Sequence, residues 1–314
     1  MCKLKRALYG LKQSPRVWQQ RATEALLSAG YTQCKNDPTI FFKCEGKNRI
    51  ILLIYVDDIL AGSTASPVGS RLLQGFIDLF TKTFKVKDLG DAKKFLGLHV
   101  QQDLASGTVR LDQSHYALEV VKEYLGDNRI SHRPQPMSPD FRVLESDSPS
   151  TDEEKKETSQ FPYRQLLGSL MYLMVGTRFD IAYAVSQLAR VMSNPGVRHW
   201  HALKYLLRYV ARTTDFGIIY TKDTKNFLVC HADASWGGSE HKRRSVTGYD
   251  TTAAGGAIGW KSGLQSLTAM SSLEAELIAA WMPTGSSTSW MNWVTRWIPL
   301  FRFTKTTKPV SGRP

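Results

Sequence analysis

No stretch of this chain approaches the roughly 18 or more uncharged apolar residues that a membrane-spanning helix requires; the longest apolar run, Ile50 to Val56, is strand-sized. The basic opening, Met1 to Lys12, has no apolar block behind it, which excludes the pattern of a secretory signal. Cysteine is scarce. Cys2, Cys34, Cys44 and Cys230 form no C-x-x-C pair and no metal-ligand rhythm, so free thiols in a reducing compartment are expected. His199 and His201 flank Trp200 without a Cys or a third His nearby, which favours a packed or surface role over a metal site. Together these absences lead us to expect a soluble intracellular protein, neither secreted nor embedded in a membrane.

Acidic residues are also in short supply. Lys and Arg number 41 against 28 Asp and Glu, a net charge of +13. Such a surplus concentrates polyanions near the surface, and nucleic acid is the usual polyanion. At 314 residues the chain is too long for one ordinary domain.

The pattern along the chain is mixed. Pro15 stands where a helix can start, and Val17, Ala22, Leu26 and Leu27 give it an apolar stripe up to Gly30. Thr39 to Phe42 and Ile50 to Val56 are β-rich, and the order predicts a hairpin with its tip at Asp57-Asp58, continuing into Ile59-Leu60. A helix is expected from about Val68 to Thr83, and a second hairpin from Phe95 to Leu111 turning at Ser106-Gly107. Ser138 to Gln160 is rich in Asp, Glu, Ser, Thr and Pro and poor in apolar residues, the composition of a linker. Tyr163 to Arg212 carries helical patterns. Strand patterns follow at Phe227 to Ala232, Ser245 to Thr252 and Gly256 to Lys261, and a helix at Ser271 to Trp281.

Asp57 and Asp58 are the most informative pair. Adjacent carboxylates repel, and keeping both ionised calls for a cation. Mg²⁺ takes oxygen ligands and shares its shell with phosphates, and paired ions suit phosphoryl transfer. Taken alone, Asp-Asp is more often a solvated turn; the apolar strands on either side shift the balance.

Tyr55-Val56-Asp57-Asp58 resembles the catalytic box of reverse transcriptases, and its surroundings resemble those of copia-type retrotransposon Pol polyproteins. The run Cys2 to Trp18 is similar to the family's most recognisable block, as are Lys87 to Gly90, Phe95 to Leu98, Tyr163 to Tyr172, Thr177 to Val185 and Leu206 to Val210. Ala232 to Gly238, Arg243 to Tyr249 and Ser271 to Glu276 resemble the family's ribonuclease H portion.

The resemblance implies an α+β fold: a partial reverse-transcriptase palm over 1–137, an acidic linker over 138–162 and a helical connection over 163–222. A truncated ribonuclease H-like mixed sheet with helices over 223–302 and a basic tail over 303–314 would follow. It makes Asp57, Asp58, Asp233 and Glu276 catalytic, metal-holding carboxylates, with Mg²⁺ or Mn²⁺ as cofactor. Gly10, Lys12, Gln13, Arg16, Phe95, Leu96 and Gly97 would bind nucleotide or nucleic acid. The implied partners are an RNA or DNA template-primer, an RNA–DNA hybrid and deoxynucleoside triphosphates, in the cytoplasm, particle-associated, or in the nucleus. Glu274, two residues before Glu276, points to a different helix face and is expected to serve the helix start. Both sites look short of ligands: no Asp, Glu or His follows Glu276, and the family's upstream Asp-bearing strand would precede residue 2. We therefore expect little activity from this polypeptide alone; the alternatives are a non-catalytic nucleic-acid-binding remnant or a decayed reading frame.

Overall fold

The structure, a computed structural model, describes residues 11–84, 86–126, 133–222, 228–237, 243–281 and 301–307, the last as backbone only. The chain is α+β, and it divides into two compact units. The first comprises Met1–Phe95, Gln102–Gly107 and Trp297–Pro314, the second Leu96–Gln101 and Thr108–Arg296. Among the described residues no helix is long and apolar enough to cross a membrane.

In the first unit, helix α1 (Ser14–Ser28) leads through β1 (Thr32–Gln33) into β2 (Ile40–Glu45), β3 (Asn48–Tyr55) and β4 (Asp58–Thr64). Helix α2 (Pro67–Phe84), β5 (Lys87–Asp91) and the short β6 (Lys94–Phe95) follow. Alternation along β3 buries Ile50, Leu52 and Ile54, and the amphipathic α2 lays Leu72, Phe76 and Phe80 on them. Helix α2 starts where the chain allows it. Pro67 occupies the first turn, Ser66 Oγ accepts from the Gly69 N–H at 3.0 Å, and Gly69 is pressed so close to the Thr64 carbonyl that no Cβ would fit.

In the second unit, β7 (Leu98–Asp103) and β8 (Thr108–Asp112) lead into α3 (Ser114–Leu125). After α4 (Asp152–Thr158) come α5 (Tyr163–Gly176), α6 (Ala182–Ala189) and α7 (Val197–Arg212), which with α3 enclose one helical core. Strand β9 (Gly217–Thr221) pairs antiparallel with β8. A separate antiparallel sheet of β10 (Leu228–Ser235), β11 (Val246–Ala253) and β12 (Gly256–Leu264) carries α8 (Ser272–Trp281). The backbone of β13 (Phe301–Thr307) inserts between β4 and β5 in the first unit, giving the order β1-β2-β3-β4-β13-β5. The sequence reads there as a basic tail. The open edges of β4 and β5 instead supply hydrogen-bonding partners on both sides of a Thr-rich segment.

Two further expectations change. The division falls near residue 95 rather than 137, because α3 buries Ala117, Val120 and Val121 in the helical core of the second unit. Residues 138–162 are also not a free linker. Arg198 on α7 holds Asp147 at 2.9 Å, His199 Nε2 lies 3.0 Å from the Leu144 carbonyl, and Phe161 stacks on Trp200. Gly196 lets this stretch close on α7, since an added Cβ would sit 1.8 Å from the Asp147 carbonyl oxygen. One acid of this linker-like stretch also caps its own helix: Thr151 and Glu154 form a capping box at the start of α4.

Arg178 is a buried charge of this unit, 2% exposed. Its guanidinium grips Asp180 through two bonds of 2.9 and 2.8 Å and donates to the Thr213 carbonyl and hydroxyl at 2.9 and 2.7 Å. Tyr209 Oη donates to the same Asp180 at 2.8 Å. The fork geometry matters because it satisfies several acceptors from one plane. Replacing Arg178 by Met should cost about 3 kcal/mol of stability, and Lys should not restore it; urea denaturation of the variants checks both.

His199 is wholly buried, and burial holds its pKa below the usual imidazole value. The Gly196 N–H donates to Nδ1 at 3.0 Å, so Nε2 carries the proton toward Leu144. A depressed histidine contributes stability that is fully present above its unfolded pKa and lost as pH falls through the folded one. Stability should therefore be level above about pH 7 and decline below about pH 6.5. In His199→Asn that part of the slope should flatten, as read by denaturation at a series of pH values.

Candidate active-site hairpin

The β3–β4 hairpin reverses in two residues. Tyr55 pairs with Asp58, leaving Val56 and Asp57 as the turn. Val56 has φ 51°, a left-handed conformation that a β-branched residue rarely adopts. Its strain, on the order of 1–2 kcal/mol, is countered by a long-range anchor. Trp18 Nε1 donates to the Val56 carbonyl at 2.5 Å, and the indole stands edge-on to Phe84 with centroids 5.0 Å apart. Asp57 and Asp58 are half-buried, while Tyr55 and Val56 are exposed. The turn thus presents both carboxylates beside a rigid sheet.

Trp18 also fixes what lies around them. Helix α1 begins at Ser14 with Gln13 as its N-cap residue, so the exposed Arg16 sits in the first turn of the helix that Trp18 ties to the hairpin, and the exposed Lys12 and Gln13 immediately precede it. Gly10 lies outside the described residues. In the sequence Trp18 is one residue of a longer motif; its indole donor, reaching across 38 positions, is what joins motif to hairpin.

The divalent-ion fit is incomplete. Among the described residues no group of three or more His, Cys, Asp or Glu side chains is placed to hold a metal. Strand β13, which runs beside β4 with Thr307 opposite Asp58, contains no acidic residue.

The remaining candidates are spread out. Phe95 is buried in the first unit. Leu96 and Gly97 belong to the second unit and form a turn with φ of 50° and 82°. There Tyr172 of α5, itself packed edge-on against Tyr116, donates to the Leu96 carbonyl at 3.3 Å. Tyr172 is a supporting residue that spacing alone did not reveal.

Asp233 and Glu276 do not converge. Asp233 lines an open cleft with Phe179, Tyr183, Asp250 and Lys261. Its strand neighbour Ala234 pairs with Thr247, whose hydroxyl meets Gln265, and Gln265 in turn donates to the Ala275 carbonyl of α8. Alternation along β10 therefore turns Asp233 to the face away from α8, where the exposed Glu276 resides. Glu274 accepts from the Met270 N–H at 2.7 Å while its own N–H meets Ser271 Oγ at 3.1 Å, the helix-start role expected of it.

Comparisons with known proteins find relatives over most of the chain. A family model described as reverse transcriptase (RNA-dependent DNA polymerase) matches residues 1–135. The chain is 38% identical, over 93% of its length, to the retrovirus-related Pol polyprotein from transposon TNT 1-94 of Nicotiana tabacum, covering 22% of that protein. It is 34% identical over 94% of its length to the corresponding polyprotein from transposon RE1 of Arabidopsis thaliana, covering 19% of it. A transposon Ty5-1 protein of Saccharomyces cerevisiae is 29% identical over 87% of the chain and 85% of that protein. The chain thus spans about a fifth of the length of the plant polyproteins it matches. No solved structure matches.

If the indole anchor secures the strained turn, Trp18→Phe should speed amide exchange at residues 56–58 while lowering global stability by only about 1 kcal/mol; hydrogen-exchange mass spectrometry reads the first and denaturation the second. With the hairpin's paired carboxylates, the family match and the Pol relatives in agreement, this chain belongs to the reverse transcriptase family of copia-type retrotransposon Pol polyproteins, of which it is a fragment.

Proposed function

We propose that the chain derives from an RNA-directed DNA polymerase in which Asp57 and Asp58 supply part of the divalent-ion site beside the primer end. The reverse transcriptase family generally uses divalent metal ions and binds a nucleic-acid template. The observation that carries the reading is the placement of both carboxylates on a two-residue reversal tied by Trp18 to the helix that bears Arg16 and directly follows Lys12. Carboxylates there suit Mg²⁺ or Mn²⁺, and Lys12 and Arg16 suit the phosphates of a deoxynucleoside triphosphate or template-primer. A compartment holding the element's RNA, cytoplasmic or nuclear, follows from that substrate.

Two carboxylates on one turn hold Mg²⁺ poorly, and no third donor joins them among the described residues. This supports a second reading: on its own the polypeptide binds nucleic acid and does not polymerise. The same holds for the ribonuclease H-like portion, since Asp233 and Glu276 lie on opposite faces of their sheet. We expect the purified chain to give no Mg²⁺- or Mn²⁺-dependent product in primer extension on an RNA template. Mn²⁺ binding should be weak and vanish in Asp57→Asn/Asp58→Asn, as followed by electron paramagnetic resonance. Robust extension would overturn the inactivity, and Mn²⁺ binding indifferent to both substitutions would overturn the site.

A further inference from the structure

Helix α7 carries a feature that the polymerase reading does not use. Its 16 residues include no Asp or Glu. Arg198, His201, Tyr205, Arg208 and Arg212 recur at alternating spacings of three and four, which confines them to an arc of about 80° along about 21 Å of helix. The opposite arc holds Trp200, Leu203, Leu206, Leu207 and Val210, all buried in the helical core. The apolar face explains why the helix docks. It does not explain why the outer face is uniformly basic and aromatic, where most surface helices mix charges.

The acids near this stripe are few. Among the described residues only Asp147 forms an ion pair with it, at Arg198, and neither Arg208 nor Arg212 takes part in one. Asp140, on the segment crossing α7, forms no ion pair with the stripe among the described residues.

A cavity of about 260 Å³ opens at the N-terminal half of the stripe, walled by Met137, Phe141, Arg198, His201 and Tyr205. That is below the roughly 300–1,000 Å³ of pockets for whole cofactors, so it suits a single planar group. Arg133 lies over the Tyr205 ring at 4.9 Å, and its Nε is buried without a hydrogen-bond partner. A buried donor left unsatisfied is costly and invites an acceptor.

We propose that α7 is a binding track for single-stranded nucleic acid, independent of the Asp57-Asp58 hairpin. One unpaired base enters the Phe141–Tyr205 cavity, and Arg198, Arg208 and Arg212 follow the phosphates. Aromatic walls give stacking without demanding one sequence, and interleaved guanidiniums give phosphate contacts, the combination that single strands require. A duplex has no base to offer the cavity.

Fluorescence anisotropy of the intact chain with labelled 12-nucleotide oligo-dT and oligo-U over a range of salt tests this. In Arg208→Glu/Arg212→Glu the affinity should fall at least tenfold. The slope of log affinity against log salt should shrink by about 1.4, two phosphate contacts at about 0.7 each. Tyr205→Leu should weaken binding about tenfold with the salt slope unchanged. The reversal Lys47→Glu/Lys82→Glu in the first unit, with the same change of charge, should leave the affinity within about twofold. Circular dichroism melts confirm that each variant is folded, which the outward position of Arg212 and half-exposure of Arg208 favour. Unchanged affinity in folded Arg208→Glu/Arg212→Glu overturns the track. Equal loss in the Lys47→Glu/Lys82→Glu control overturns its location, and equally tight binding of a blunt duplex overturns the single-strand assignment.

Discussion

A two-residue reversal carrying adjacent carboxylates is the constraint on which the functional reading depends. Val56 has to enter the left-handed region for β3 and β4 to meet in register, and a β-branched side chain resists that conformation. Nothing local offsets the strain. The ladder from Ile50–Ser63 to Tyr55–Asp58 holds the turn from behind, and the Trp18 indole holds it from the side. Strain retained where the surroundings over-determine it is characteristic of working sites. Here it fixes where the Asp57 and Asp58 carboxylates emerge relative to α1.

The second unit handles charge differently. Arg178 is taken fully inside and matched with Asp180 and the Thr213 acceptors, so its cost of desolvation is met by a planar set of bonds. His199 is buried as a neutral ring between a backbone donor and a backbone acceptor. The acidic stretch before α5 closes over the N-terminal half of α7 through Asp147 and leaves Arg208 and Arg212 outside that contact. The net charge of +13 is thus not spread evenly: one helix with no acidic residue presents a basic stripe along a single face.

Membership in the Pol family and completeness of its catalytic sites are separate matters in this chain. The hairpin brings Asp57 and Asp58 together on one turn, yet the described residues include no third His, Cys, Asp or Glu grouped with them to hold a metal. In the β10–β12 sheet, strand alternation sends Asp233 and α8 to opposite faces. Motif spacing carries identity; only side-chain direction tells whether the residues meet.

Local patterns by themselves determined most elements. The apolar, β-rich run from Ile50, Pro15 ahead of an apolar stripe, and the helical periods of Tyr163 to Arg212 all correspond to observed strands and helices, because composition, period and punctuation are properties of neighbouring residues. The paired aspartates at a hairpin tip were legible for the same reason. Composition misled at 138–162, where a handful of contacts from Asp147, Leu144 and Phe161 to α7 outweighs an otherwise linker-like sequence. What only tertiary structure decided were the long-range terms: the bond from Trp18 to Val56, the burial of Arg178, the strand added by Phe301–Thr307, and the separation of Asp233 from Glu276. Each depends on which surfaces meet across tens or hundreds of residues, and no local spacing encodes that.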